Sequence, residues 1–177
     1  LPGDTSRLLR MEQQRLRDTS EHFRALQQVR RDRLAEPRNE SDRKAVKLEK
    51  LRSVGAVGAW TLTKEFLGWR QFNNREEVGA LAGLTGTPYD SGEASKDQGI
   101  SKAGNPRVRS LMIELAWSWV HYQPDSTLSQ WFMDRFGYGN KRMRRVGIVA
   151  LARKLLVALW KYVEFDQIPE GARLKNT

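Results

Sequence analysis

A serine hydroxyl, a cluster of cations and a helix start fall within one stretch, Gly83 to Arg109 (GLTGTPYDSGEASKDQGISKAGNPRVR). Together they could do chemistry on a phosphate. Ser91 stands between Asp90 and Gly92, where the glycine leaves room for another backbone to come close. Asn105 is a favoured N-cap, Pro106 suits the first helical position, and Arg107 and Arg109 follow in the first turn. A helix N-terminus presents free N–H groups, so with Lys102 and the two arginines beside it the segment offers a cradle for an anion. A candidate nucleophile and a candidate phosphate site thus share one segment. The plainer reading of Ser91 is a loop serine capping a turn.

The stretch has no apolar periodicity and carries glycines at positions 83, 86, 92, 99 and 104, so it reads as one long loop ending in a helix. Loops of that length inside a compact domain are uncommon and tend to be functional or disordered. Before it, Asn74 and Glu77 form a capping-box-like start for a short helix carrying Val78, Leu81 and Ala82. After it, Val108, Leu111, Met112, Leu115 and Trp119 recur at helical spacing from Pro106 to His121, which marks a core helix. Pro124, Asp125 and Ser126 end that element and cap another, in which Leu128, Trp131, Phe132 and Phe136 build an aromatic wall. Aromatic residues at this spacing belong to a core more often than to a base-stacking platform. GYGNKRMRR then opens a long apolar helix from Met143 to about Val163. Its basic start, with Lys141, Arg142, Arg144 and Arg145, is a second candidate contact to a nucleic-acid backbone, with a solvated surface as the equal alternative. The tail FDQIPEGARLKNT reads as a weakly ordered terminus.

Upstream, the sequence from Asp4 to Glu36 is highly charged, with Leu9, Leu16 and Phe23 in heptad steps and Leu26 and Leu34 extending the seam. It predicts a long coiled-coil-like helix. Pro37 breaks it, and Asn39 with Asp42 caps a second helix through Ala45, Leu48 and Leu51. Residues 1–50 are therefore expected to form an antiparallel helical hairpin through which the chain forms a homo-oligomer. Next, Leu51, Val54, Gly55, Val57 and Gly58 resemble a helix-hairpin-helix, whose glycine turn lets backbone amides approach a DNA phosphate without reading sequence. The usual motif has Pro-Gly where this chain has Gly55-Ala56, and a plain turn between packed helices fits equally. The expected fold is all-α: a hairpin or connector over 1–50, a compact helical domain over 51–165 and a tail over 166–177.

Composition bounds the partners. The formal charge is +10, from 31 Lys plus Arg against 21 Asp plus Glu, which favours a polyanion, and nucleic acid before an anionic membrane. No segment reaches the roughly eighteen apolar residues of a spanning helix, and the first ten residues lack the apolar core of a signal peptide. The start at Leu1 rather than Met suggests a fragment or a processed chain. With no cysteine, disulfides and thiolate metal sites are excluded, which fits a reducing cytoplasm. His22 and His121 lie too far apart in sequence to suggest zinc, so no metal site or cofactor is expected in this chain.

The order of features carries a family resemblance: a glycine hairpin at Val54 to Gly58, AGL at Ala82 to Leu84, Ser91-Gly92, GISKAGNPRVR from Gly99, VALARKLLVALWKY from Val149 and IPEGA from Ile168. Over roughly Leu51 to Lys175 the chain resembles the C-terminal domain of insertion-sequence transposases of the one-ten family, the bridge-RNA-guided recombinases. The preceding hairpin resembles that family's coiled-coil connector. The resemblance implies a serine that attacks a DNA phosphodiester to make a phosphoserine link, and the matching position is Ser91. The family often has a second serine just before it, where this chain has Asp90. Ser95 and Ser101 are the fallback nucleophiles. The resemblance also implies an N-terminal nuclease-like domain with four acidic residues holding magnesium, a guide RNA as partner and a prokaryotic, nucleoid-associated setting.

A serine hydroxyl is a weak nucleophile at its own pKa, and nothing in this chain supplies its activation: Asp90 and Asp97 lie nearby in sequence, but two loop carboxylates do not make a metal site. This chain alone is therefore expected to bind DNA without cutting it. Lys102, Arg107 and Arg109 would neutralise the phosphate and Asn105 would hold the helix start, with Gly55, Gly58, Arg142, Arg144 and Arg145 as further backbone contacts. Two rivals stand beside this reading: a non-catalytic helix-hairpin-helix DNA-binding module, and a structural coiled-coil adaptor that binds no DNA.

Overall fold

The structure is a computed structural model that describes residues 3–86, 90–91, 94–95, 100–101 and 103–175, with only the backbone described at 90–91 and 94–95. Its contacts divide it into two units, Leu1–Arg38 and Asn39–Thr177. Among the described residues the regular structure is seven α-helices and two strands of two residues each, in agreement with the all-α expectation.

The first unit holds one element, α1 (Gly3–Ala35). Local interactions sustain it: Gln14 donates to Asp18 at 2.8 Å and Gln28 to Asp32 at 2.7 Å, each one turn on. The heptad residues Leu9, Leu16 and Phe23, with Leu26, are all exposed.

In the second unit, α2 (Glu40–Glu49) starts at Asn39, whose side chain accepts the Asp42 N–H at 2.8 Å. Asp42 is fully buried and pairs with Lys64 Nζ at 2.7 Å, and Ala45 and Leu48 are buried behind it. Although the sequence groups α2 with α1, these buried residues make α2 part of the second unit, whose boundary falls at Arg38–Asn39. A short turn leads to α3 (Ala56–Leu62), which continues as a π-helical turn over Thr63–Leu67. After α4 (Arg75–Leu81) and the long loop come α5 (Pro106–Tyr122), α6 (Thr127–Phe132) with a second π-helical turn at Met133–Gly137, and α7 (Lys141–Phe165).

Helix α7 is the spine of this unit and packs against α2, α4, α5 and α6. Leu151, Leu155, Leu156 and Leu159 are fully buried, each contributing about 1.5–3 kcal/mol of burial. They share one core with Met112, Leu115 and Trp119 of α5. Trp119 satisfies its indole N–H on Ser126 at 2.8 Å and Trp160 is also buried, as the core reading expects, whereas Trp69 and Trp117 are exposed. Gly147 is buried under the Phe136 ring, which any side chain there would strike.

The tail differs from its expectation of weak order. Leu51 and Leu174 form an antiparallel bridge, Lys175 N–H donates to Lys50 O at 2.7 Å, and Arg52 N–H donates to Arg173 O at 3.2 Å. Gln123 holds both the N–H and the carbonyl of Arg173, at 2.7 and 2.8 Å. These backbone bonds over residues separated by some fifty to a hundred and twenty positions have no local signature, which is why polar composition alone suggested a loose end.

Candidate functional site

The Ser91 loop grows from a closed stem. Helix α4 ends at Gly83 in the left-handed conformation (φ 68°), a backbone that a side chain strains, and Leu84 N–H reaches back to Gly79 O at 3.1 Å to close the helix. The returning chain is tied alongside: Ser101 N–H donates to Thr85 O at 2.8 Å, Asn105 N–H to Leu81 O at 3.1 Å, and Gly86 bridges Ile100. Gly104 lies so close that a Cβ would collide with the Leu81 carbonyl and the Gly83 amide. Residues 81–86 and 100–105 thus fix both ends of the loop on the helical core. Within the loop, Asp90–Ser91 pairs antiparallel with Ala94–Ser95, Ser91 facing Ala94 in register. The side chains of Ser91 and Ser95, and the whole of Lys102, lie outside the described residues.

The stem runs into the start of α5. Asn105 caps it as expected, its Oδ1 accepting Arg107 N–H at 3.0 Å and Val108 N–H at 3.3 Å. Glu65, on the π-helical turn after α3, reaches the same point: Asn105 Nδ2 donates to Oε2 at 3.4 Å and Arg107 to Oε1 at 3.0 Å. A carboxylate therefore already stands where the sequence expects a phosphate, on a turn type that recurs at functional positions. Nothing in the sequence announces this contact, which spans more than forty residues. Arg109, one turn on, lies against Gly83 and links the arginine pair to the stem.

The two glycines of the hairpin separate. Gly55 is exposed at the N-cap of α3. Gly58 is buried, and a Cβ there would meet Leu115 Cδ2 of α5 at 3.4 Å and Leu111 Cδ1 at 3.8 Å. Gly58 is a packing residue between α3 and α5 and presents nothing to a partner. In the turn before α3, Val54 N–H donates to Leu51 O at 3.0 Å and Arg52 N–H to the tail, while the N-cap of α3, Gly55, makes no side-chain cap and has open space around it.

The basic start of α7 divides as well. The helix begins two residues earlier than Met143, because Asn140 caps it by accepting Met143 N–H at 2.9 Å. Arg144 turns toward α5 and stacks over Trp117, 5.9 Å from the ring centre. Arg142 and Arg145 instead line a cavity of about 1260 Å³ along α7. Its lining follows one helical face, Arg142, Arg145, Val146, Val149, Ala150, Arg153, Lys154, Val157, Ala158 and Lys161, in alternating steps of three and one. Arg75 and Glu76 of α4 stand on another wall, paired at 2.7 Å, and the hydrogen bond from Arg75 holds the Glu76 carboxyl below its ordinary pKa. Gly86 and Ile100, the bridge at the root of the Ser91 loop, form the rim. Sequence reasoning took only the first turn of this face. Arg153, Lys154 and Lys161 were legible as a basic stripe opposite the leucines, but they are interleaved with valine and alanine and read as part of an apolar helix.

Among the described residues no group of three or more His, Asp or Glu could hold a metal ion, and no helix is long and apolar enough to cross a membrane.

Residues 45–130 match the model of the family described as "Transposase IS116/IS110/IS902 family". Two curated proteins of Sinorhizobium fredii (strain NBRC 101917 / NGR234) are similar. The chain is 49% identical to "Putative transposase y4rJ" over 127 residues, 71% of this chain and 32% of that protein. It is 34% identical to "Putative transposase y4qE" over 122 residues, 68% of this chain and 31% of that protein. The chain spans about a third of the length of these curated relatives.

Proposed function

Taking as premise that this chain carries a domain of the IS116/IS110/IS902 transposase family, we propose that it binds DNA and supplies Ser91 as the nucleophile for strand cleavage and exchange. In the step, Ser91 Oγ attacks a DNA phosphorus and loses its proton to a base. The Oγ–P bond forms, one P–O bond of the phosphodiester breaks, and the leaving deoxyribose oxygen takes up a proton. A phosphoserine link conserves the energy of the broken bond, so that a second DNA hydroxyl can reverse the step and join strands. Lys102, Arg107 and Arg109 would stabilise the charge that gathers on the phosphate, and Asn105 would hold the start of α5, which carries the two arginines. Arg142, Arg144 and Arg145 would add contacts to the DNA backbone and Gly55 a weaker one, while Gly58 would act only through packing.

The observation that carries this reading is the stem. A nucleophile must be presented within a fraction of an ångström of its target, and both ends of the Ser91 loop are hydrogen-bonded to a helical core beside two arginines. Magnesium chemistry would belong to the acidic domain that the family resemblance implies. By itself the chain would bind DNA without cutting it. In the full-length protein a guide RNA is the expected further partner, and the exposed Leu16 and Phe23 of α1 suit pairing with a second copy.

The test is covalent trapping. Full-length protein with guide RNA, magnesium and labelled DNA should give a protein-linked DNA band on a denaturing gel, and Ser91→Ala should lose it. A band that persists in Ser91→Ala would overturn the assignment of this serine.

A further inference from the structure

The cavity along α7 has a chemistry that the nucleophile reading leaves unused. From Arg142 to Lys161 its wall runs about 28 Å at ~1.5 Å per residue. Its volume of about 1260 Å³ exceeds the roughly 300–1,000 Å³ typical of small-molecule sites. A polymer fits this track better than a metabolite. Among the described residues that line it, six are cationic and one, Glu76, is a carboxylate. Arg75 is paired with Glu76, Arg153 lies close enough to feel the same charge, and Lys154 sits over the Trp131 ring at 4.8 Å, which leaves the wall with a clear excess of positive charge. The polymer is therefore an anion. Between the cations the floor is apolar, with Val146, Val149 and Val157 in register along one face.

That alternation selects among polyanions. A duplex turns phosphates outward and keeps its bases stacked inside, which would leave the valine floor uncovered. An unpaired strand offers base and sugar faces to the floor while its phosphates reach the arginines and lysines. The ribose 2′-hydroxyl, a donor and acceptor, would lose water against valine with nothing to replace it, so deoxyribose fits better. An acidic helix would match the charges too, but the cavity's rim is Gly86 and Ile100, the root of the Ser91 loop. A strand lying here would pass the root of the loop that carries the proposed nucleophile.

We propose that the cavity-lining face of α7, from Arg145 through Arg153 to Lys161, is a cradle for single-stranded DNA next to the root of the Ser91 loop. The choice of DNA rests on the reading of that loop as the strand-cleaving segment. Arg153 and Lys161 bind phosphates, and Val149 and Val157 carry the unstacked bases and sugars.

The experiment measures binding of labelled oligothymidylate to the full-length protein by fluorescence anisotropy across a salt series, for the parent and for Arg153→Gln/Lys161→Gln. Two lost contacts should weaken binding about tenfold and flatten the slope of log K against log salt by about 1.4, at ~0.7 per phosphate for a single strand. Binding of duplex DNA should change little. Val146→Asp, at an exposed position of the floor outside the core, should weaken oligothymidylate binding as well. The proposal is overturned if the double variant binds like the parent, if duplex and single strand lose affinity equally, if oligouridylate binds as tightly with the same losses, or if an acidic peptide competes better than oligothymidylate. Ser91→Ala run in parallel separates the two readings. Normal groove dependence with a surviving covalent band defeats the nucleophile assignment alone, and a lost band with binding indifferent to Arg153 and Lys161 defeats the cradle alone.

Discussion

The two long helices of this chain are built on opposite principles. Helix α1 spans thirty-three residues and leaves Leu9, Leu16 and Phe23 exposed, whereas α7 spans twenty-five and buries ten. Helix α1 is held by its own propensities and by exposed pairs one turn apart, each contributing about 0.2–0.5 kcal/mol. Helix α7 is held by everything around it. The difference teaches where each can carry function. A helix anchored by a core can present its outward face to a ligand, which is the role proposed for the cations and valines of α7. A helix with an unburied apolar seam has its natural use in covering that seam.

The sharpest way to break this contrast is a leucine truncation in each helix. Leu155→Ala, at a fully buried site, should destabilise the second unit by about 2–5 kcal/mol. Thermal or denaturant unfolding of the two variants side by side would check it, since Leu16→Ala should change the same transition by less than about 0.5 kcal/mol. Equal losses would mean that α1 is part of the core. A second substitution probes the stem: Gly104→Ala forces a Cβ into the Leu81 carbonyl and the Gly83 amide and should cost about 1–3 kcal/mol. Limited proteolysis should then cut within residues 87–99 faster than in the parent.

These positions also mark what the sequence could and could not disclose. Helix periods and the caps at Asn39, Asn74, Asn105 and Ser126 follow from local chemistry, and the structure has them. Of the long loop the described residues show its two ends and a short antiparallel strand pair, Asp90–Ser91 with Ala94–Ser95, that the loop reading did not expect. The Asn74 cap differs only in detail, because Glu77 reaches back to Asn73 N–H at 2.9 Å rather than to Asn74. What stayed hidden depends on distant partners. Glu65 on Arg107, the tail bound along the α2–α3 turn and the burial of Gly58 are decided by tertiary packing, which no window of a dozen residues contains. The basic face of α7 was hidden for another reason: the apolar content of the helix masked a second periodicity running through it.

Smaller effects sharpen the comparison further. Asn105→Ala removes a cap that holds two amides and should cost about 1 kcal/mol, read from the same unfolding curves. Leu16→Asp with Phe23→Asp should leave the melting of the second unit within about 0.5 kcal/mol while abolishing self-association of the full-length protein in sedimentation. Unchanged association would remove α1 as the pairing surface. Glu65→Gln breaks a partly exposed ion pair with Arg107 and should shift stability by no more than about 1 kcal/mol. Because it releases cationic charge at the α5 start, its affinity for DNA should rise, and a fall would show that the carboxylate assists binding.

The central claim, that Ser91 on its stem is the group that attacks DNA, is tested most directly by locating the bond itself. The covalent complex of the full-length protein would be digested with nuclease and protease and the modified peptide sequenced by mass spectrometry. The account expects a nucleotide remnant on Ser91. A remnant on Ser95, Ser101 or any residue outside the loop would contradict it.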